Sequence, residues 1–116
     1  ICWKPGDKTS VHGHDNQRCW VYQVAGQMLE ERFQEGTQGE LLKDHEMNLT
    51  SGKLTYMHDS MGYHTLKNES SENAITLHLY IKPVSECEVY NDEKQKFETV
   101  EMNYHTIDGK LNTESV

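Results

Sequence analysis

Short stretches of alternating hydrophobic and polar residues, separated by turn residues, run along most of the chain. The clearest covers residues 75–81, where four aliphatic side chains share one face and Thr76, His78 and Tyr80 share the other. The other predicted strands lie at residues 1–3, 19–25, 28–34, 41–49, 53–57, 87–90 and 97–104, with a turn at 59–62. Many short strands without a clear helical period predict an all-β sandwich or barrel.

Residues 19–34 are expected to form a hairpin. Gly26 marks a tight turn between the strand at 19–25 and a return arm at 28–34. A helix is the alternative for the second arm, because Met, Leu, Glu, Arg and Gln all favour helices. Its acidic pair, Glu30 and Glu31, is expected to face solvent.

Composition restricts the chain to one small domain with a thin core, since only 34% of its 116 residues are hydrophobic and the mean hydropathy is −0.85. We expect residues 1–109 to form this domain and residues 110–116 a polar tail. A net charge of −8 argues against nucleic acid and anionic membranes as partners. No hydrophobic run approaches the roughly 20 residues of a membrane span.

Three cysteines, Cys2, Cys19 and Cys87, lie at irregular spacing. An odd number of cysteines without a regular pattern does not indicate a disulfide framework. We therefore expect a reducing, cytoplasmic location, and we expect the protein to be a monomer.

The candidate chemistry begins with His12 and His14, which point the same way if the segment is extended. Two imidazoles at this spacing can occupy adjacent sites on one metal, and histidine is the commonest metal ligand among side chains. The pair alone is weak evidence in a chain with seven histidines. Three others, His45, His58 and His105, belong to no motif and are expected at the surface.

The spacing of Gly6, His12, His14, Cys19 and Gly26 resembles the first motif of the cupin superfamily. His64 and Asn68 resemble the end of the second cupin motif. Cys19 stands where most cupins have a glutamate ligand, and this exchange is found in the cysteine dioxygenase family. The segments "CWKPGDKTSVHGHDNQRC", "HDSMGYHTLKN" and "TLHLYIKPVSEC" are similar to three successive blocks of that family.

This resemblance implies a cupin jelly-roll β-barrel that lacks an N-terminal portion. It also implies Fe(II) bound by His12, His14 and His64, and oxidation of L-cysteine by O2 to cysteine sulfinate. Three neutral ligands leave the full charge on Fe(II), which suits an incoming thiolate.

Further residues follow from the same resemblance. Cys19 and Tyr80 match a pair that the family joins by a thioether bond. Thr76, His78 and Tyr80 match its Ser-His-Tyr hydrogen-bond relay, with threonine in place of serine. His78 would orient Tyr80, whose hydroxyl would lie near the metal.

Two alternatives remain open from the sequence. The protein could oxidise a related thiol such as 3-mercaptopropionate, or it could be a non-catalytic metal-binding cupin. The family binds the substrate carboxylate through an arginine that neither Arg18 nor Arg32 matches. We therefore expect residues 1–116 expressed alone to be inactive. We also expect them to be poorly soluble, because the N-terminal strands implied by the resemblance would be missing and would leave a sheet edge unpaired and apolar surface exposed.

Overall fold

The computed structural model of the chain describes residues 1–103 and 106–112, and these form almost only β-strands. The strands are β1 (Cys2–Trp3), β2 (Cys19–Ala25), β3 (Gln27–Glu35), β4 (Leu41–Thr50), β5 (Leu54–Met57), β6 (Tyr63–Lys67), β7 (Ala74–Tyr80), β8 (Glu86–Asn91), β9 (Lys96–Glu101), β10 (Thr106–Ile107) and β11 (Lys110–Leu111). A short 3-10 helix, Asp59–Met61, replaces the predicted turn. The predicted all-β class is confirmed. Over the described residues, no helix is long and apolar enough to cross a membrane.

Some of the residues for which the sequence makes predictions near the C-terminus are not among those that the structure describes. His105 and residue 104 of the last predicted strand lie outside the described residues, as do residues 113–116. Strands β10 and β11 pair with each other across the expected domain boundary at residues 109 and 110. That boundary stays a prediction.

Two antiparallel sheets face each other. The first has the order β1-β7-β2-β5, and the second contains β4-β3-β6 and the β8-β9 pair. The segment at His12 joins the parts of the second sheet: His12 N donates to the carbonyl of His64 (3.0 Å), and Gly13 N donates to that of Glu88 (2.9 Å). The first histidine motif therefore lies directly beside His64.

The predicted hairpin of residues 19–34 is wrong, although its second arm is a strand as expected. Strand β2 pairs with β5 and β7, whereas β3 pairs with β4 and β6. Gly26 is the corner at which the chain passes from one sheet to the other. Its φ is +70°, and a Cβ there would lie 2.6 Å from the carbonyl oxygen of Asn73, so glycine is required.

Strand β7 has the predicted two faces, but its polar face points inward. Thr76 is buried, whereas Leu77 and Leu79 are 63% and 61% exposed. Together with Tyr22 and Leu54, they belong to an apolar groove of about 400 Å³ on the outer surface of the first sheet. The inward polar face is what positions the candidate site.

The space between the sheets is divided into two parts. The apolar part is the core cluster of Trp3, Cys19, Val21, Met28, Leu49, Leu66 and Ala74. The other part is polar and contains His14, Glu30, Arg32, Thr55, His64 and Thr76. Burial of so many polar groups requires that they pair with one another.

The expected solvent exposure of Glu30 and Glu31 is wrong. Glu30 is completely buried and Glu31 is 8% exposed. Glu31 forms ion pairs with Lys43 and Lys67, whereas Glu30 points to the histidines.

Candidate metal centre

Three imidazoles converge between the sheets, as the two histidine motifs predict. His12 and His14 come from the segment that connects β1 to β2 in the chain and lies between β6 and β8 in space, and His64 comes from β6. One ligand nitrogen from each lies within 4.8 Å of the others. The Nε2 atoms of His14 and His64 are 3.1 Å apart.

The outer nitrogens of two of these rings are held by hydrogen bonds. His12 Nδ1 lies 2.9 Å from the carbonyl oxygen of Ser10, and His64 Nδ1 lies 2.8 Å from Glu30 Oε1. Both partners can only accept, so each Nδ1 carries a hydrogen, and Nε2 is the nitrogen left to bind a metal. Such outer partners are typical of metal-binding histidines.

The geometry of this cluster fits a metal ion. Two nitrogens bound at right angles to one ion, at about 2.1 Å each, are separated by about 3 Å, close to the distance between the Nε2 atoms of His14 and His64. His14 Nδ1 is buried and has no hydrogen-bond partner within the part of the chain that the structure describes. Three converging imidazoles in a polar interior are therefore a candidate metal centre.

Burial keeps two of the three histidines, His12 and His14, in the neutral form that binds metal. Burial, with a smaller contribution from the nearby His64, lowers the pKa of His12 to about 4 and that of His14 to about 3. Neutral imidazole is the ligating form, so both side chains are available as metal ligands at neutral pH.

A buried network behind His64 was not identified from the sequence. Thr55 Oγ1 donates to Glu30 Oε2 (2.8 Å), and Arg32 Nη2 donates to Thr55 Oγ1 (2.9 Å) and to the Tyr56 carbonyl (2.8 Å). Burial alone would raise the pKa of Glu30, but the bonds from His64 and Thr55 outweigh it and hold the pKa below its usual value. The available signal was the period of β3, which places Glu30 on the same face as Met28.

The relay residues lie on the inward face of β7. Thr76 Oγ1 is 2.8 Å from His78 Nε2, and Tyr80 Oη is 3.5 Å from His78 Nδ1. Trp3 Nε1 donates to Thr76 Oγ1 at 2.8 Å, a contact between distant residues that was not identified from the sequence. Burial lowers the pKa of His78 to about 4, so this ring is also neutral.

The two residues of the predicted cross-link are direct neighbours on adjacent strands. Cys19 on β2 pairs with Tyr80 on β7, so their side chains share the inward face. Burial raises the pKa of Cys19 to about 11, although a hydrogen bond with Tyr80 acts in the opposite direction. This arrangement brings the thiol and the phenol together, and the thioether stays a prediction.

A cavity of about 180 Å³ opens beside the centre. Its lining residues are His12, Gly13, His14, Tyr80, Pro83, Val84, Cys87, Met102 and Asn103. As far as the described chain goes, no lysine or arginine lines this cavity. Arg18 is exposed, and Arg32 is committed to the network behind His64.

Comparison with known proteins shows which family this chain is similar to. Residues 1–93 match the family model "Cysteine dioxygenase type I". The proteins named "Cysteine dioxygenase type 1" from Homo sapiens and Mus musculus are each 30% identical to this chain over 112 residues. The match covers 94% of this chain and 56% of each relative. The Danio rerio protein of the same name is 29% identical, and the match covers 95% of this chain and 57% of that protein. The chain thus spans little more than half the length of these relatives.

Solved structures give the same fold. A sugar phosphate isomerase of the cupin superfamily from Silicibacter pomeroyi superimposes with a TM-score of 0.56 at 14% identity, covering 97% of this chain and 69% of its own. Oxalate decarboxylase from Bacillus subtilis superimposes with a TM-score of 0.55 at 20% identity, and the match covers 87% of this chain and 22% of that one. The predicted cupin barrel is confirmed, and because the family model extends over most of the chain, this cupin belongs to the cysteine dioxygenase type I family.

Proposed function

We propose that the protein oxidises L-cysteine with O2 to cysteine sulfinate, with Fe(II) bound by His12, His14 and His64. The observation that carries this proposal is the convergence of three imidazoles beside a small cavity, which His12, His14 and Tyr80 line. Family membership supports the dioxygenase class and the thiol substrate. The atoms balance, because one thiol and one O2 give one sulfinic acid.

The three histidines supply the metal ligands and no charge. Bound Fe(II) would supply the redox chemistry that joins O2 to sulfur. Neutral ligands favour an anionic, soft thiolate over a neutral competitor. The apolar side chains of Pro83, Val84 and Met102 also line the cavity, and they would limit the access of water to the reacting sulfur.

Tyr80 is the proposed substrate-side residue. Its hydroxyl contacts His78, which is held by Thr76, and it also bonds to the Cys19 thiol. A thioether bond from Cys19 Sγ to the ring carbon beside that hydroxyl would remove two hydrogens, with O2 as the oxidant. The bond would fix the ring and reduce its rotamer freedom, which favours a constant position of the hydroxyl in the cavity.

We also propose a cytoplasmic monomer. All three cysteines are free thiols, two of them buried, which suits a reducing compartment. Free thiols of this kind need no oxidising environment for folding.

The proposal is tested with the protein expressed from its full reading frame and loaded anaerobically with Fe(II). We expect L-cysteine to start O2 consumption with one sulfinate formed per O2, and 3-mercaptopropionate to react more slowly. Tyr80→Phe should lower the rate, whereas Tyr22→Phe, on the outer face of the first sheet, should not. Lack of O2 consumption with either thiol would support a non-catalytic metal-binding cupin instead.

A further inference from the structure

Glu30 is a completely buried carboxylate that does not line the cavity, yet it bonds directly to a metal-ligand candidate. We propose that Glu30, held by Thr55 and Arg32, is a positioning residue that fixes the orientation of His64 and thereby sets the metal affinity of the centre. This inference rests on the metal-binding part of the proposed function.

The first support is that a buried carboxylate needs strong partners. Removing an ionised carboxylate from water costs several kcal/mol unless charged or hydrogen-bonding groups compensate for it. Glu30 has three partners: His64 Nδ1 at 2.8 Å, Thr55 Oγ1 at 2.8 Å and Arg32 Nη2 at 3.4 Å. The carboxylate is thus fixed in position from three sides.

The second support is the hydrogen placement on His64. An ionised carboxylate can only accept, so Nδ1 of His64 must carry the hydrogen. Nε2 then points its lone pair at Nε2 of His14, 3.1 Å away. With the opposite placement, an N–H group would point to the metal position and His64 could not act as a ligand there.

The third support is the brace behind the carboxylate. Thr55 lies on β5 in the first sheet, whereas Glu30 and Arg32 lie on β3 in the second. The Thr55 hydroxyl accepts from Arg32 and donates to Glu30, so its single hydrogen has a defined direction. The network therefore ties the orientation of His64 to both sheets.

The charge on Glu30 distinguishes His64 from the other two histidines. His12 donates to the neutral carbonyl of Ser10. The nearest carboxylate oxygen to His14 Nδ1, Asp59 Oδ1, lies 3.8 Å away, beyond hydrogen-bond distance. A carboxylate acceptor raises the basicity of the imidazole that it holds. Glu30 thus places a negative charge directly behind His64, one hydrogen bond away from the candidate ligand.

The test compares Glu30→Gln with Glu31→Gln in the full chain. The two substitutions make the same chemical change at adjacent positions of β3, but Glu31 pairs with Lys43 and Lys67 rather than with a histidine. Dissociation constants for Fe(II) and Co(II) are measured anaerobically by competition with a chelator. We expect Glu30→Gln to weaken binding about 10- to 100-fold, and Glu31→Gln to change it less than about twofold.

A second readout uses metal-free protein with nitrogen-labelled histidine. The His64 resonances should show a single form with hydrogen on Nδ1 in the wild type and a mixture in Glu30→Gln. If Glu30→Gln does not fold, Thr55→Val keeps the carboxylate, removes one of its bonds and should weaken metal binding several-fold. Unchanged metal affinity in a folded variant, or an equal loss in Glu31→Gln, would overturn the inference.

These outcomes are separate from those of the oxygenase assay. Wild-type thiol oxidation together with unchanged metal affinity in Glu30→Gln would contradict only the role of Glu30. Weakened metal binding in Glu30→Gln together with an inactive wild type would contradict only the proposed reaction.

Discussion

Acidification from pH 7 to pH 5 is expected to destabilise the metal-free protein strongly, because its interior contains histidines that resist protonation. Burial lowers the pKa of His14 from 6.5 to about 3, and that of His12 and His78 to about 4. Below pH 6.5 the unfolded chain binds protons at these positions and the folded chain does not. Unfolding therefore takes up protons, and stability falls as the pH falls towards the folded pKa values.

The size of the effect follows from these values. At pH 5, a histidine with a pKa of 6.5 in the unfolded chain that stays neutral in the folded chain lowers the free energy of unfolding by about 2 kcal/mol. His14, 2% exposed, should give nearly all of this. His12 and His78 bring the total to at most about 6 kcal/mol, comparable with the 5–15 kcal/mol total stability of typical domains.

The assay is urea unfolding followed by tryptophan fluorescence at pH 7, 6 and 5 in the presence of a chelator. His14→Gln removes one of the histidines and should make the decline with pH shallower by about 2 kcal/mol over this range. His45→Gln is the matched control, since His45 is exposed, and it should decline like the wild type. Equal unfolding free energies at pH 7 and pH 5 would refute the reasoning, as would equal declines for His14→Gln and His45→Gln.

Three other predictions concern single side chains. His64→Ala should lose most bound iron in elemental analysis while circular dichroism shows that the fold persists; undiminished iron would remove His64 from the centre. After turnover, intact-mass spectra should contain a species lighter by two hydrogens, and Cys19→Ser should abolish it; only unmodified wild-type chain would exclude the bond to Tyr80. Thr76→Val removes the hydroxyl that holds His78, so we expect kcat for cysteine to fall about tenfold with metal affinity unchanged. A tenfold loss corresponds to about 1.4 kcal/mol of transition-state stabilisation, and an unaltered kcat would rule out a role for the relay.

The strands and the histidines of the centre could be predicted from local sequence because both depend on short spacings. Alternation over residues 75–81 places Thr76, His78 and Tyr80 on one face, and the spacing of His12 and His14 places both side chains near one point. Alternation does not say which face is inward. Here the apolar face is outside, and the polar face carries the groups that lie beside the candidate metal centre.

The hairpin and the role of Glu30 could not be predicted because both depend on distant parts of the chain. Gly26 adopts its conformation to pass Asn73 and Ala74, and nothing in residues 19–34 distinguishes such a corner from a hairpin turn. Glu30 is buried beside His64, which is 34 residues away in the chain. The pairing of β3 with β6 brings the two side chains within hydrogen-bond distance. An acidic pair in a strand is usually solvated, and only the register of the sheet shows otherwise.

Cysteine oxidation under isotopically labelled O2 tests the assignment of a metal-dependent thiol dioxygenase most directly. The protein expressed from its full reading frame, loaded with Fe(II), should form cysteine sulfinate that contains two labelled oxygen atoms, as read by mass spectrometry. His64→Ala should form almost none, while His45→Gln should match the wild type. Sulfinate with one labelled oxygen or none, or equal product from His64→Ala, would contradict the account.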